Sequence, residues 1–289
     1  MPQWNCACPN CREARLGLIP PRTQSSVAVG DERGRWYLVN ASPDLPAQIE
    51  AYPPLQPAPQ PFRNTPIAGV LLTNADLDHV LGLFSLREGG RLVIHATNAV
   101  RATVTRGLGL TPIIDTFCGA DWREPSIEKF VPLLPGEDDT AGLLYRAIPL
   151  PGTPPPYARE VTAGGAHSVA YQFLDPRTGG RLLVAPDVAA VNDELRQALA
   201  ASDAVLFDGT FWSGDDLSQV KSNAPQAAEM GHVTMKDCSL ELLRNLTARH
   251  KIYIHINNTN PVLGSVSPER AAVEAAGITI GRDGLEFQL

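Results

Sequence analysis

Cysteine is scarce in this chain, five residues in 289. That excludes a small secreted scaffold stapled by disulfides. Long apolar runs are missing: no stretch of about 18 residues is apolar enough to cross a bilayer as a helix. The opening residues, Met1-Pro2-Gln3-Trp4-Asn5-Cys6, hold neither the basic stretch nor the apolar core of a secretory signal, so a cytoplasmic location is expected. An excess of base is also missing. Lys and Arg number 24 against 31 Asp and Glu, a net charge of −7, and phosphate-backbone binding needs clustered cations, so no nucleic-acid partner is expected. No internal repeat of fixed period is present. What remains is a composition fit for a large core, 44% hydrophobic and 19% charged, which excludes a disordered chain. One domain over residues 1–289 is expected.

Short β-rich runs alternate with helical stretches. The expected strands are 25–30, 36–40, 67–73, 91–95, 143–150, 168–174, 181–185, 204–208, 251–256 and 285–289. The expected helices are 44–51, 79–86, 98–106, 193–201, 239–249 and 268–276. The last has Ser267 as its cap, Pro268 in its first turn and Gly277 just beyond its end. The pattern gives an α/β class, in an order compatible with two sheets face to face and helices outside, a four-layer αββα sandwich.

Three stretches carry chemistry. In Cys6-Ala7-Cys8-Pro9-Asn10-Cys11 three thiols share one tight loop. Zn2+ takes four soft ligands in a tetrahedron, so the spacing suits a structural zinc loop over 6–11 with a fourth ligand from elsewhere. The alternative is three buried or redox thiols. In Thr73-Asn74-Ala75-Asp76-Leu77-Asp78-His79 an apolar strand ends in polar side chains where a helix begins, the place where an α/β sheet presents ligands. Here the plainer reading makes Asp78 a helix cap. In Ile254-His255-Ile256-Asn257-Asn258 a second strand ends in a histidine. It has company in Gly231-His232, before a helix, and in Asp208, at the end of a third strand. His255 is a candidate metal ligand, and His232 a ligand or a proton-transfer group.

With these residues in place, the chain resembles the metallo-β-lactamase superfamily, and within it a branch concerned with making pyrroloquinoline quinone (PQQ). The similar stretches are Pro2 to Cys11, Arg22-Thr23-Gln24-Ser25-Ser26 with Asn40-Ala41-Ser42-Pro43-Asp44, Thr73 to His79, Asp208-Gly209-Thr210-Phe211-Trp212, Met230-Gly231-His232, and His255 to Pro261. Together they span nearly the whole chain. The resemblance implies the αββα metallo-β-lactamase fold. It also shows a departure: hydrolases of the superfamily carry His-x-His-x-Asp-His after the strand, whereas Asn74 and Asp76 stand at the two leading His positions here. A site that keeps His79 and His255 with carboxylates at Asp76 and Asp78 suits a single O2-activating Fe(II) better than two zincs.

The implied activity is iron- and O2-dependent hydroxylation of the tyrosine ring of a small Glu–Tyr-derived precursor. His79, His255 and Asp78 or Asp76 would be iron ligands. His232 and Asp208 would be catalytic, with His232 moving protons. Cys6, Cys8 and Cys11 would hold the structural zinc with Asn258, because related phosphodiesterases place a His ligand three residues past the site His. Two rivals stand beside this: a carrier of the quinone or its precursor, and a zinc phosphodiesterase. A homodimer is one arrangement open to the chain.

Overall fold

The computed structural model describes residues 1–134 and 142–289. The chain forms two compact units, one made of Met1–Thr23 and Thr178–Leu289, the other of Gln24–Arg177. The first opens with helix α1 (Pro9–Arg15), which sequence periodicity did not reveal.

The unit Gln24–Arg177 is built on a five-stranded sheet, β1 (Val27–Gly30), β2 (Trp36–Val39), β3 (Ile67–Leu71), β4 (Leu92–His95) and β5 (Ala120–Arg123), in that spatial order. The β1–β2 pair is antiparallel and the later pairs are parallel. Helices α2 (Leu45–Ala51), α3 (Leu77–Val80), α4 (Asn98–Ala102) and α5 (Leu110–Phe117) accompany it. Leu38, Val70, Leu72, Leu83, Ile94, Val100 and Ile114 belong to one buried core cluster. The apolar character of β3 follows from burial, as expected of a parallel strand covered by helices. Strands β6 (Val131–Pro132), β7 (Leu144–Leu150) and β8 (Ser168–Leu174) form an antiparallel ladder in which Leu150 pairs with Ser168 and Leu144 with Leu174. This ladder secures the end of β3: Val169 N–H donates to Thr73 O at 2.8 Å and the Tyr171 hydroxyl to Leu72 O at 3.0 Å.

The remainder of the other unit holds four parallel strands, β9 (Arg181–Ala185), β10 (Ala204–Asp208), β11 (His250–Ile254) and β12 (Thr279–Ile280), with β10 and β11 central. Helices α6 (Asp193–Ala200), α7 (Leu240–Arg244) and α8 (Pro268–Ala275) connect them. Asn192 and Ser267 cap α6 and α8 through side-chain oxygens that accept from Leu195 N–H and Arg270 N–H. Gly277, at φ +69, ends α8 in the left-handed region as its sequence position suggests.

Two expectations need correction. Residues 285–289 are not a strand. Their alternation of Leu285, Phe287 and Leu289 meets no ladder partner among the described residues, and Phe287 stacks on His250 with centroids 4.6 Å apart. The helices expected over 98–106 and 239–249 are short α turns joined to π turns, Thr103–Gly107 after α4 and Met235–Ser239 before α7, and the one expected over 79–86 is α3 followed by a 3-10 helix, Leu81–Glu88. Such bulges place a side chain off the regular helical phase.

Candidate metal centres

Parallel strands deliver their carboxyl ends to one edge of a sheet, and in the first unit that edge gathers the polar residues. Asp208 closes β10, His255 follows β11, and Asp187 lies two residues beyond β9. His232 arrives from the loop before the π turn at Met235. Asp187, His232 and His255 each offer a ligand atom within 4.8 Å of the others. The two imidazoles stack with centroids 5.6 Å apart.

Asp208 organises this edge. It is wholly buried. Its Oδ2 accepts from Val188 N–H at 2.9 Å and its Oδ1 from Thr210 N–H at 2.9 Å and the Thr210 hydroxyl at 2.6 Å. His232 Nδ1 lies 2.8 Å from Oδ2. A carboxylate with these donors is an acceptor, so Nδ1 carries the proton and Nε2 is left facing Asp187 Oδ1 at 3.7 Å. Thr210 passes the same logic to the second ring. Its single proton goes to Asp208, so the hydroxyl accepts from His255 Nδ1 at 2.8 Å and His255 Nε2 keeps its lone pair. Burial works against charge on His232, but Asp208 and then Asp187 outweigh it and hold its pKa above the ordinary value. His255 sits at φ +55, a left-handed conformation that is uncommon outside glycine and clusters at functional sites.

The second unit prepares His79 in a related way. The ring is fully buried, and its Nδ1 lies 2.8 Å from Asn74 Oδ1. An amide oxygen only accepts, so this ring too has its Nδ1 proton committed. Nε2 is 3.8 Å from Asp78 Oδ2. Asn74 Oδ1 also accepts from Asp76 N–H at 3.0 Å. Asn74 therefore orients His79. Asp76, not Asp78, occupies the N-cap position of α3, and its side chain caps no N–H. Tyr157 reaches the same loop, donating to Ala75 O at 2.6 Å. Burial, with Asp76 nearby, pushes the Tyr157 phenol up to about 12.

Cys6, Cys8 and Cys11 form a third group of candidate ligands, again with atoms within 4.8 Å. Asn258 sits over them, its side-chain nitrogen 3.2, 3.4 and 3.5 Å from the three sulfurs. The two ends of an amide are distinguished only by their hydrogen bonds, and turning this one over presents Oδ1 at the same vertex. Asn10 locks the arrangement by donating to Asn258 O and Asn260 O, both at 2.9 Å. Burial raises the Cys8 thiol, but the Cys11 N–H and the Asn258 side chain bring it below its ordinary value. Cys11 is pushed up to about 11, by burial first and by the neighbouring sulfurs next. The donor set suits zinc: three sulfurs that become thiolates on binding, and one oxygen or nitrogen.

Sequence reasoning missed two residues here. Asp187 follows Ala185-Pro186 at the end of a correctly read strand, and its carboxyl-end position was the available signal. Thr210 was noted only as part of a motif, yet it links Asp208 to His255.

The chain matches the Beta-lactamase superfamily domain over residues 35–256. It is 40% identical over 299 residues to coenzyme PQQ synthesis protein B of Ectopseudomonas mendocina, covering 100% of this chain and 95% of the relative. The crystal structure of Zn2+-bound PqqB from Methylobacterium extorquens superposes with a TM-score of 0.87 at 35% identity, over 100% of this chain and 95% of that one. A diphosphatase of the PhnP family shares the fold, with a TM-score of 0.66 at 18% identity over 99% and 90% of the two chains. The α/β metallo-β-lactamase fold expected from the sequence is therefore the fold of this protein. On full-length identity and structural likeness together, the chain belongs to the coenzyme PQQ synthesis protein B family of the β-lactamase superfamily.

Proposed function

We propose that the protein acts in PQQ biosynthesis as an iron- and O2-dependent hydroxylase of the tyrosine ring of a Glu–Tyr-derived precursor. The observation that carries this reading is the make-up of the carboxyl edge in the first unit. Imidazole and carboxylate groups converge there, and the protons of both His232 and His255 are committed at Nδ1. His255 and Asp187 serve as iron ligands from this edge. His79 and a carboxylate of Asp76 or Asp78 are further iron ligands, as the sequence reading has them. Mixed nitrogen and oxygen donors, poor in imidazole, favour one Fe(II) over a pair of zincs. Iron, when bound, supplies activation of O2. One oxygen atom enters the ring and the other leaves as water, with two electrons from an external reductant.

The chain's own residues do the rest. His232 holds a proton within reach of the edge and exchanges it at Nε2, while Asp208 fixes its tautomer and stabilises the charged ring. Thr210 fixes His255. Cys6, Cys8 and Cys11 with Asn258 hold a structural zinc that contributes to folding. The substrate is a small peptide-derived molecule, with no nucleic-acid partner, and the location is cytoplasmic. No helix among the described residues is long and apolar enough to cross a membrane.

The test is anaerobic loading with Fe(II), then isotopically labelled O2 with a Glu–Tyr peptide and a reductant. Label in the ring, lost in His255→Ala and His79→Ala, is expected. Hydroxylation that survives both substitutions ends the mechanism. Hydrolysis of a phosphodiester at a comparable rate, with two zincs bound, would favour the phosphodiesterase reading. Zinc at the cysteine loop alone, with no turnover, would favour the carrier.

A further inference from the structure

The loop after β3 carries Asn74, Asp76, Asp78 and His79, and Asn74 Oδ1 holds the Asp76 N–H side of the Ala75–Asp76 peptide at 3.0 Å. The carbonyl side of that peptide is held from a distance. The Tyr157 hydroxyl, 82 residues away in sequence, donates to Ala75 O at 2.6 Å. We infer that Tyr157 is a positioning residue for iron binding, its hydroxyl setting the loop that presents Asp76, Asp78 and His79. The inference rests on the reading that these residues hold iron.

Tyr157 is unusually well placed to act as a fixed strut. Its segment is pinned at three other points of the same unit. The Thr97 hydroxyl donates to Ala166 O at 2.7 Å, and Arg106 Nη2 to Thr162 O at 3.0 Å. Gly107 provides the third: a Cβ there would stand 2.6 Å from Ala158 Cβ and 3.4 Å from Tyr157 Cε2. Only a glycine lets the π turn approach the segment this closely. Pro154, Pro155 and Pro156 precede the tyrosine, and their fixed φ reduces the entropy lost in ordering it. Against this anchored ring, the hydroxyl has a single carbonyl to serve, and that carbonyl lies next to Asp76.

Tyr157→Phe keeps the ring against Gly107 and removes only the hydroxyl. Anaerobic Fe(II) titration against a chromophoric chelator should show the dissociation constant rising about tenfold, the lower end of what losing an outer-shell partner costs. The electron paramagnetic resonance spectrum of the Fe(II)–nitric oxide adduct should change shape. Gly107→Ala, with Tyr157 intact, should shift affinity and spectrum in the same direction. Ile67→Ala loosens the core at the opposite end of β3 from the loop and should leave the spectrum as in wild type. If Tyr157→Phe binds iron like wild type while His79→Ala loses it, the positioning role is overturned and the ligand assignment stands. If His79→Ala also binds like wild type, the ligand assignment fails and the positioning role falls with it. A spectrum altered equally by Ile67→Ala would reduce Tyr157 to a structural contact and overturn the inference.

Discussion

Asp208 and His232 form a buried carboxylate–imidazole pair, Oδ2 to Nδ1 at 2.8 Å. The same carboxylate also holds Thr210 and the Val188 N–H. Removing the imidazole and removing its orienting group therefore have different consequences. His232→Ala should keep iron and lose turnover by about 10²–10⁴-fold, the scale for a positioned acid or base. Asp208→Asn should lose turnover and stability together, because the amide cannot accept from all its present donors. Metal analysis beside single-turnover rates checks both, and iron lost from His232→Ala would make it a ligand instead.

Cys8→Ser should lose one zinc per chain and lower the melting temperature, since binding free energy at such a site is folding free energy. Elemental analysis of the purified variant decides it. Unchanged zinc content would remove the site.

A pH effect follows from His95. The ring is buried under Tyr145, with Nδ1 2.6 Å from its hydroxyl. Burial, helped by Arg123, lowers its pKa from 6.5 to about 4. Between these values the unfolded chain binds the proton and the native one does not, so stability is full above about pH 6.5 and falls as pH drops towards 4. The shift corresponds to about 3 kcal/mol. Denaturant titrations at several pH values should show His95→Gln with a weaker loss over this window than wild type. Parallel curves for the two would contradict the assignment.

Gly82→Ala should destabilise by about 3 kcal/mol, the upper range for overpacking. A Cβ at Gly82 would lie 2.3 Å from Ser42 O and 2.8 Å from Ala41 O, both backbone atoms. Gly82 N–H also donates to Ala41 O at 2.9 Å, so the approach is fixed. A melting temperature equal to wild type would show that the 3-10 helix Leu81–Glu88 can move aside.

Much of this was legible in sequence because β-strands of buried sheets write their burial directly. Ser168–Leu174, Arg181–Ala185 and Ala204–Asp208 match their expected bounds. His255 stood out because it follows such a strand, and His79 because it opens the helix after one. Other parts left no local signal. Strand β5, Ala-Asp-Trp-Arg, is half-buried throughout and lacks an apolar alternation. β12 is two residues long. Asp187 is separated from its strand by a proline and reads as an ordinary loop. The task of Asn74 could not be read, because an amide that orients a buried ring looks in sequence like a lost ligand. The same holds for Tyr157, whose partner is a backbone carbonyl and carries no side-chain identity.

The contact between Cys8 and Asn258 bridges 250 positions of the chain. On the ribosome the three thiols emerge long before the residue that covers them. While the intervening chain is made, three sulfurs stand uncovered, open to oxidation and to any thiol-seeking metal. The clasp closes only after His255 and its sheet edge have left the exit tunnel, so metal selection at the cysteine loop is a late event in the life of the polypeptide.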